Sequence, residues 1–296
     1  MELRVLNYFL MAAREENITK AAQLLHVTQP TLSRQLMQLE EELGVQLFRR
    51  SRHHIILTEE GMLLKRRAQE LLTLAEKTKK DLAQSSAQLS GEFSIGCGEL
   101  QSVEFLTHLL ARFQAENPLV QFNIYSGTAD GIKERLENGL LDMGLLLEPV
   151  DVAKYAFLQT PQKEQWGVFV HKDSPLAEKQ SVAPEDLLRQ PLTLPSRGLV
   201  LDILENWFGQ SYDDLSVIGH HTLAYNAGAM VRGHMCAAIG LQLNCTFADT
   251  CFIPFSPALE TGSVLVWKKA QRMTPIMSAF LDLANKCVLG ISDDTV

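Results

Sequence analysis

No stretch of this 296-residue chain approaches the roughly 18 uninterrupted apolar residues of a membrane span, so a helical membrane protein is excluded. Cysteine is scarce. Cys97, Cys236, Cys245, Cys251 and Cys287 are odd in number, scattered, and contain no CxxC pair, which points to reduced thiols rather than a disulfide framework. No signal-peptide pattern opens the chain, which runs directly into a charged amphipathic segment; a cytoplasmic protein is expected. Catalytic motifs are missing as well: there is no HExxH, no GxSxG and no P-loop. Gly96-Cys97-Gly98 begins like a dinucleotide-binding turn, but Gln101 stands where the third glycine belongs. The histidine pairs His53–His54 and His220–His221 lack the further ligands of a metal site and are expected to be solvated loop or wing residues. An enzyme is therefore not expected, nor a metal or cofactor.

What is present is an ordinary core-forming composition, 46% apolar, at a length that suits about two domains. The formal charge of −8 is unevenly placed. Residues 1–90 hold 13 Lys/Arg against 11 Asp/Glu, net +2, whereas residues 91–296 hold 14 against 24, net −10. A basic module on an acidic body is the pattern expected where one part meets phosphate and the other does not.

Within the basic part, ITKAAQLLHVTQPTLSRQLMQLE (18–40) reads as two short helices joined by a tight turn. Ile18, Ala21, Ala22 and Leu25 give the first an apolar face, and His26–Val27 interrupt it. Thr28 can cap the second, with Pro30 tolerated in its first turn, where an amide has no helical partner. Leu32, Leu36, Leu39 and Leu43 form a buried stripe, which leaves Gln29, Thr31, Ser33, Arg34, Gln35 and Gln38 outward. Such side chains hydrogen-bond base edges and phosphates when a helix lies in a major groove. Leu3, Leu6, Tyr8, Phe9, Leu10 and Ala13 supply a helix that packs behind the pair.

After Gly44, which can end the second helix, Leu47–Phe48 plug the core and Arg49, Arg50 and Arg52 make a basic turn before Ile55–Leu57. This reads as a wing that reaches phosphates or the minor groove. Thr58 can cap the next helix, with Glu59 and Glu60 in its first turn. Leu64, Ala68, Leu71, Ala75, Thr78 and Leu82 recur at steps of four and three, the seam of a coiled coil. About 28 residues at roughly 1.5 Å each give a rod of about 42 Å, a dimerisation helix rather than one buried in a small domain. A dimer supplies the second reading helix that specificity needs. The polar segment 84–91 is then a hinge.

From Glu92 onward, strands (93–97, 120–124, 143–147, 166–171, 192–195, 215–219 and 263–269) alternate with helices (103–117, 129–138, 199–208, 223–233 and 274–289). Alternation of this kind predicts parallel sheets with covering helices, in two α/β lobes that share a cleft.

The chain resembles the LysR-type transcriptional regulators over essentially its whole length. The resemblance is carried by Ala21–Ala22, Leu25, Val27, Gln29–Pro30, Leu32–Ser33–Arg34, Leu39–Glu40, Leu43–Gly44, Leu47–Phe48–Arg49–Arg50 and Leu57–Thr58–Glu59–Glu60–Gly61. GLLLEPVD (144–151) and MVRGHMCAAIG (230–240) continue it more loosely. It implies an α+β multidomain fold: an N-terminal winged helix-turn-helix (1–58), a long linker helix and hinge (59–90), and an effector-binding domain (91–296). The last would be two α/β lobes like a type 2 periplasmic binding protein, lobe 1 being 91–161 plus 267–296 and lobe 2 being 162–266. Promoter DNA, a small-molecule inducer, a homodimer or homotetramer and RNA polymerase are the implied partners. By carry-over, Thr28, Gln29, Pro30, Thr31, Ser33, Arg34 and Gln35 face DNA, with Arg49, Arg50 and Arg52 on its backbone; Leu64, Ala68, Leu71, Ala75 and Leu82 dimerise.

In lobes of this kind ligands sit at strand ends, near helix N-termini and loop hydroxyls. Gly98, Glu99, Leu100, Gln101, Ser102, Ser126, Gly127 and Thr128 are the expected effector residues of lobe 1, faced by Pro195, Ser196, Arg197 and Thr222. Arg197 would suit a carboxylate-bearing metabolite, although Glu99 would repel one unless it points away. Some members of the family sense peroxide through a cysteine pair in the second lobe, and Cys245 and Cys251 make that the alternative reading.

Overall fold

The computed structural model describes residues 1–50, 55–83, 89–270 and 273–289, with the side chains of Arg50 and residues 80–83 outside the description. Arg52, the His53–His54 pair and most of the expected hinge therefore lie outside it, as does the Leu82 side chain. The chain divides into two compact units, residues 1–85 and 86–296.

The first unit begins with α1 (Leu3–Glu15), α2 (Ile18–Leu24) and α3 (Gln29–Leu43). α2 is capped by Asn17, whose side chain accepts from the Lys20 amide, and α3 by Thr28, which accepts from the Thr31 amide. Pro30 occupies the first turn of α3, and Gly44 ends the helix in the left-handed region at φ 69°. Leu32, Leu36 and Leu39 are buried with Leu6, Phe9, Ala12, Ala21 and Ala22, so the small alanines let three helices approach closely. Leu43 does not complete the stripe. It is 38% exposed, because the helix end at Gly44 carries it past the edge of the core.

Two short antiparallel strands follow, β1 (Phe48–Arg50) and β2 (Ile55–Leu57), as expected of a wing. Their root is held by Glu40, whose Oε1 accepts from the amides of Leu47 (2.7 Å) and Phe48 (3.1 Å). Thr58 donates its hydroxyl proton to the Gln46 carbonyl and caps α4 (Glu59–Ala83) through the Gly61 amide. Gly61 has no room for a side chain: a Cβ there would stand 2.2 Å from the Leu47 carbonyl oxygen.

α4, at 25 residues and about 37 Å, corrects the expected seam. Ala68 is fully buried in the core of its own unit, with Leu64 and Leu72 packed there, because α4 lies along α1. The large apolar residues left outward are Met62, Leu63, Leu71 and Leu74, so among the described side chains only Leu71 of the expected set is an exposed leucine.

The second unit holds two sheets. The first has the order β4–β3–β5–β13–β6, built from β3 (Gly91–Cys97), β4 (Val120–Ser126), β5 (Met143–Leu147), β6 (Tyr155–Gln159) and, from near the end of the chain, β13 (Ser263–Lys268). Its helices are α5 (Val103–Glu116), α6 (Ala129–Glu137) and α10 (Pro275–Val288). The other runs β11–β7–β10–β8–β9, from β7 (Glu164–His171), β8 (Leu192–Pro195), β9 (Val217–His221), β10 (Ala237–Leu241) and β11 (Thr250–Pro254), with β12 (Glu260–Thr261) on β7. The short α7 (Pro184–Leu187), α8 (Gly198–Phe208) and α9 (Ala224–Arg232) cover it.

Neither sheet is purely parallel. β13 pairs antiparallel with both β5 and β6, and β7 antiparallel with both β10 and β11. The cause is the double crossing of the chain between lobes: each strand that enters from the other lobe arrives in the reverse sense. β13 lies wholly in the first sheet, so the return falls at Gly262 and not within a strand at 267 as expected. β6, β10 and β11 were not among the expected strands; each is five residues long.

Beside both crossings lies a buried polar hub. Glu164, fully buried, accepts from the Gln101 amide through Oε2 (2.8 Å) and from the Ser102 amide and hydroxyl through Oε1 (3.0 and 2.6 Å). Ser263 donates to the Ser102 hydroxyl (2.8 Å), and Thr160 stands 2.6 Å from Ser263 Oγ. One carboxylate from the second lobe thus meets the N-terminus of α5 in the first, where the helix dipole favours negative charge. No helix among the described residues is long and apolar enough to cross a membrane.

Candidate functional site

α3 carries the residues expected to face DNA. With Leu32, Leu36 and Leu39 inward, Gln29, Pro30, Thr31, Arg34 and Gln38 are exposed, and Ser33 and Gln35 half-buried. Thr28 and Thr31 share a hydroxyl hydrogen bond of 2.8 Å, and Gln35 donates to Gln38 at 2.9 Å, so parts of this edge are pre-ordered. Arg34 has no ion-pair partner among the described residues, in contrast to Arg14 and Lys20, both drawn to Glu15. Those two hydrogen bonds hold the Glu15 carboxyl below the usual carboxylate range, Lys20 contributing most. Arg49 is exposed on β1.

The second unit encloses a cavity of about 230 Å³ between its lobes. Ten of the expected residues line it: Gly98, Glu99, Leu100, Ser126, Gly127, Thr128, Pro195, Ser196, Arg197 and Thr222. Gln101 and Ser102 do not. Their amides are turned to Glu164, Ser102 is fully buried, and the Gln101 side chain reaches Asn244 at 3.2 Å.

Two of the lining side chains tie the lobes together rather than wait for a ligand. Arg197 donates through Nη1 to the Leu147 carbonyl (3.0 Å) and through Nη2 to that of Pro149 (2.7 Å), while its buried Nε has no partner among the described residues. It is neither a free anion site nor a surface arginine but a clamp, and burial draws its pKa below the ordinary arginine range. Glu99 does not confront the ligand space with a loose charge. Its Oε2 accepts from the Ala224 amide at the start of α9, a position the dipole stabilises.

Sequence reasoning missed most of the apolar wall: Leu145–Leu147, Trp166, Phe169, Leu241 and Leu243. Their signal in the sequence is that of any buried strand. It missed His221 as well, which is not a solvated loop residue but half-buried at the end of β9, 3.2 Å from Thr193 Oγ1 and in the cavity wall. Burial, and secondarily the neighbouring His220, push its pKa from 6.5 down to about 4. The unfolded chain therefore binds a proton in that window which the folded chain refuses, so stability present above pH 6.5 is lost as pH falls toward 4. His221→Gln is expected to flatten that slope in pH-dependent urea unfolding; an unaltered slope would refute the assignment.

Residues 3–62 match the family described as "Bacterial regulatory helix-turn-helix protein, lysR family", and residues 86–287 match "LysR substrate binding domain". The chain belongs to the LysR family. It is a DNA-binding transcriptional regulator, not an enzyme, with a winged helix-turn-helix followed by an effector-binding domain. The transcriptional activator IlvY of Salmonella typhimurium is 28% identical over 278 residues, covering 93% of this chain and 91% of that one. Among solved structures, full-length CbnR complexed with its target DNA superposes with a TM-score of 0.76 at 23% identity, covering 97% of this chain and 99% of that one. A full-length OxyR variant of Pseudomonas aeruginosa gives 0.55 at 24%, covering 96% and 99%. At these identities the structures speak for the LysR fold alone.

Proposed function

We propose that this LysR regulator works in the cytoplasm as a homodimer, paired further into a homotetramer, and that a small molecule between the lobes of the effector domain controls its action at a promoter. The paired copies would place two α3 helices on successive half-sites, with Gln29, Pro30, Thr31, Ser33 and Arg34 toward base edges and Arg49 along the phosphates. The exposed Leu63, Leu71 and Leu74 offer the apolar face for pairing. The complex of CbnR with its target DNA supports the docking, since that chain shares this fold.

One observation carries the effector reading: residues of both lobes converge on one cavity with an apolar wall and a few polar groups at its rim. The polar groups of the wall that do not already bind across the cleft are Ser126, Ser196, Thr222 and His221 with the Nε of Arg197, because the Nη atoms of Arg197 and the Glu99 carboxylate hold backbone groups there. This favours a small, largely apolar ligand with one or two hydrogen-bonding groups over a strongly anionic one. In a Trp207→Phe/Trp267→Phe protein, whose remaining tryptophan is Trp166, a ligand found by thermal-shift screening should alter emission saturably. Ser196→Phe, which fills the rim without adding a second tryptophan, should abolish the change. A stabilising ligand that leaves Trp166 emission untouched would place the effector elsewhere.

The cysteine-based alternative finds little support. Cys245 is exposed, and Cys251, on β11, is half-buried with its thiol directed to the Val170 carbonyl. Burial raises the Cys251 pKa, against a slighter lowering by Lys172, which is the reverse of what a peroxide-reactive thiolate requires.

A further inference from the structure

A separate constellation lies in the second lobe, outside the cleft. β7 ends at His171, and the turn after it carries Asp173. α9 ends at Arg232, and two residues later His234 adopts a left-handed backbone, φ 54°, before β10 begins. Because β7 and β10 are antiparallel neighbours, the end of one lies beside the start of the other.

The imidazole rings of His171 and His234 stand 3.8 Å apart between centroids. One donor atom each from His171, Asp173 and His234 lie within 4.8 Å of one another, and His171 Nδ1 is 3.4 Å from Asp173 Oδ2. Donors bonded to a tetrahedral zinc ion at about 2.0–2.2 Å stand about 3.4 Å from each other, the separation of this pair, although His171 Nδ1 accepts from the Asp173 amide at 3.2 Å and an ion on that nitrogen displaces the bond. Asp173 is well exposed and free to close the remaining distance. A cavity of about 180 Å³ adjoins the three side chains, lined also by Ser174, Gln190 and Cys236, which leaves space for an ion and its water.

We propose that His171, Asp173 and His234 form a binding site for a divalent transition metal, with water in the open position. Two imidazoles and one carboxylate are borderline donors, suited to zinc or nickel, whereas magnesium and calcium take oxygen ligands. Neither the DNA-reading helix nor the effector cavity uses these residues. The left-handed conformation of His234 is uncommon outside glycine, asparagine and aspartate, although histidine tolerates it better than most.

The test is calorimetric titration of the metal-stripped full-length protein with zinc chloride. Wild type is expected to bind zinc saturably, with one fewer zinc per chain in His234→Gly, in His171→Gln, and in the double variant. Glycine at 234 accepts the positive φ without strain, so loss of binding there does not reflect misfolding. Zinc should also raise the melting temperature of wild type and leave that of the double variant unchanged, because only a native-state site stabilises by mass action. Magnesium should bind to neither. Unchanged zinc stoichiometry in both single variants, or no saturable binding by wild type, would overturn the proposal.

Discussion

Glu164→Ala is expected to destabilise the effector-binding domain by on the order of 3–5 kcal/mol, the range for breaking a buried, charge-assisted network. The reason is local. Two backbone amides and one hydroxyl lose their only carboxylate, in a place where water does not reach: Glu164, Ser102 and Ser263 are all fully buried. The loss falls on the junction of the lobes, since Ser102 heads α5 of one lobe and Glu164 opens β7 of the other. Glu164→Gln separates charge from shape. Its amide oxygen can still serve the Ser102 amide and hydroxyl, but its NH₂ group then meets the Gln101 amide, donor against donor. That variant is expected to fall between wild type and alanine. Urea unfolding followed by tryptophan emission measures both. An alanine midpoint equal to that of wild type would mean that the hub does not hold the lobes.

Arg34→Ala has the second large effect, on DNA rather than on the fold. Loss of a side chain that contacts a base edge or phosphate is expected to weaken specific binding by about 1–3 kcal/mol for each copy of α3 engaged. The variant should melt as wild type does, because Arg34 is exposed and has no ion-pair partner among the described residues. Gel shifts on a promoter fragment flanking its own gene, over a series of salt concentrations, distinguish the modes of contact. A shallower salt dependence in the variant would identify a phosphate contact, and an unchanged slope with lower affinity a base contact. Affinity equal to wild type would reject the docking of α3.

The helix-turn-helix was legible because its determinants are local. Asn17 and Thr28 cap from within three residues, Gly44 supplies the left-handed stop, and the leucine period marks the inward face. The cavity was legible at its rim for a related reason: glycines and hydroxyls after strands mark the ends where loops turn. The wall was not. Trp166, Phe169 and Leu145–Leu147 have the same apolar character as leucines that never meet a cavity, and only the pairing of lobes distinguishes them. The expected seam on α4 failed in part for the same reason. Periodicity names an apolar stripe without naming its partner, and α1 of the same unit takes Ala68.

The sequence by itself therefore determined the family, the order of the domains, the helix-turn-helix with its outward edge, and ten of the residues that line the cavity between the lobes. Each is written in contiguous residues, or in short-range capping and spacing, and needs no knowledge of distant contacts. Tertiary structure alone decided what Glu99, Arg197 and Glu164 are for, where β13 belongs, and that His171 meets His234. These are contacts between residues some 50 to 125 positions apart, brought together by the crossing of the chain between lobes and by antiparallel strand pairing. A charged side chain reads alike in sequence whether it will face water, a ligand or a backbone amide across a cleft. Which of these it meets depends on burial and register, and both are properties of the assembled sheet.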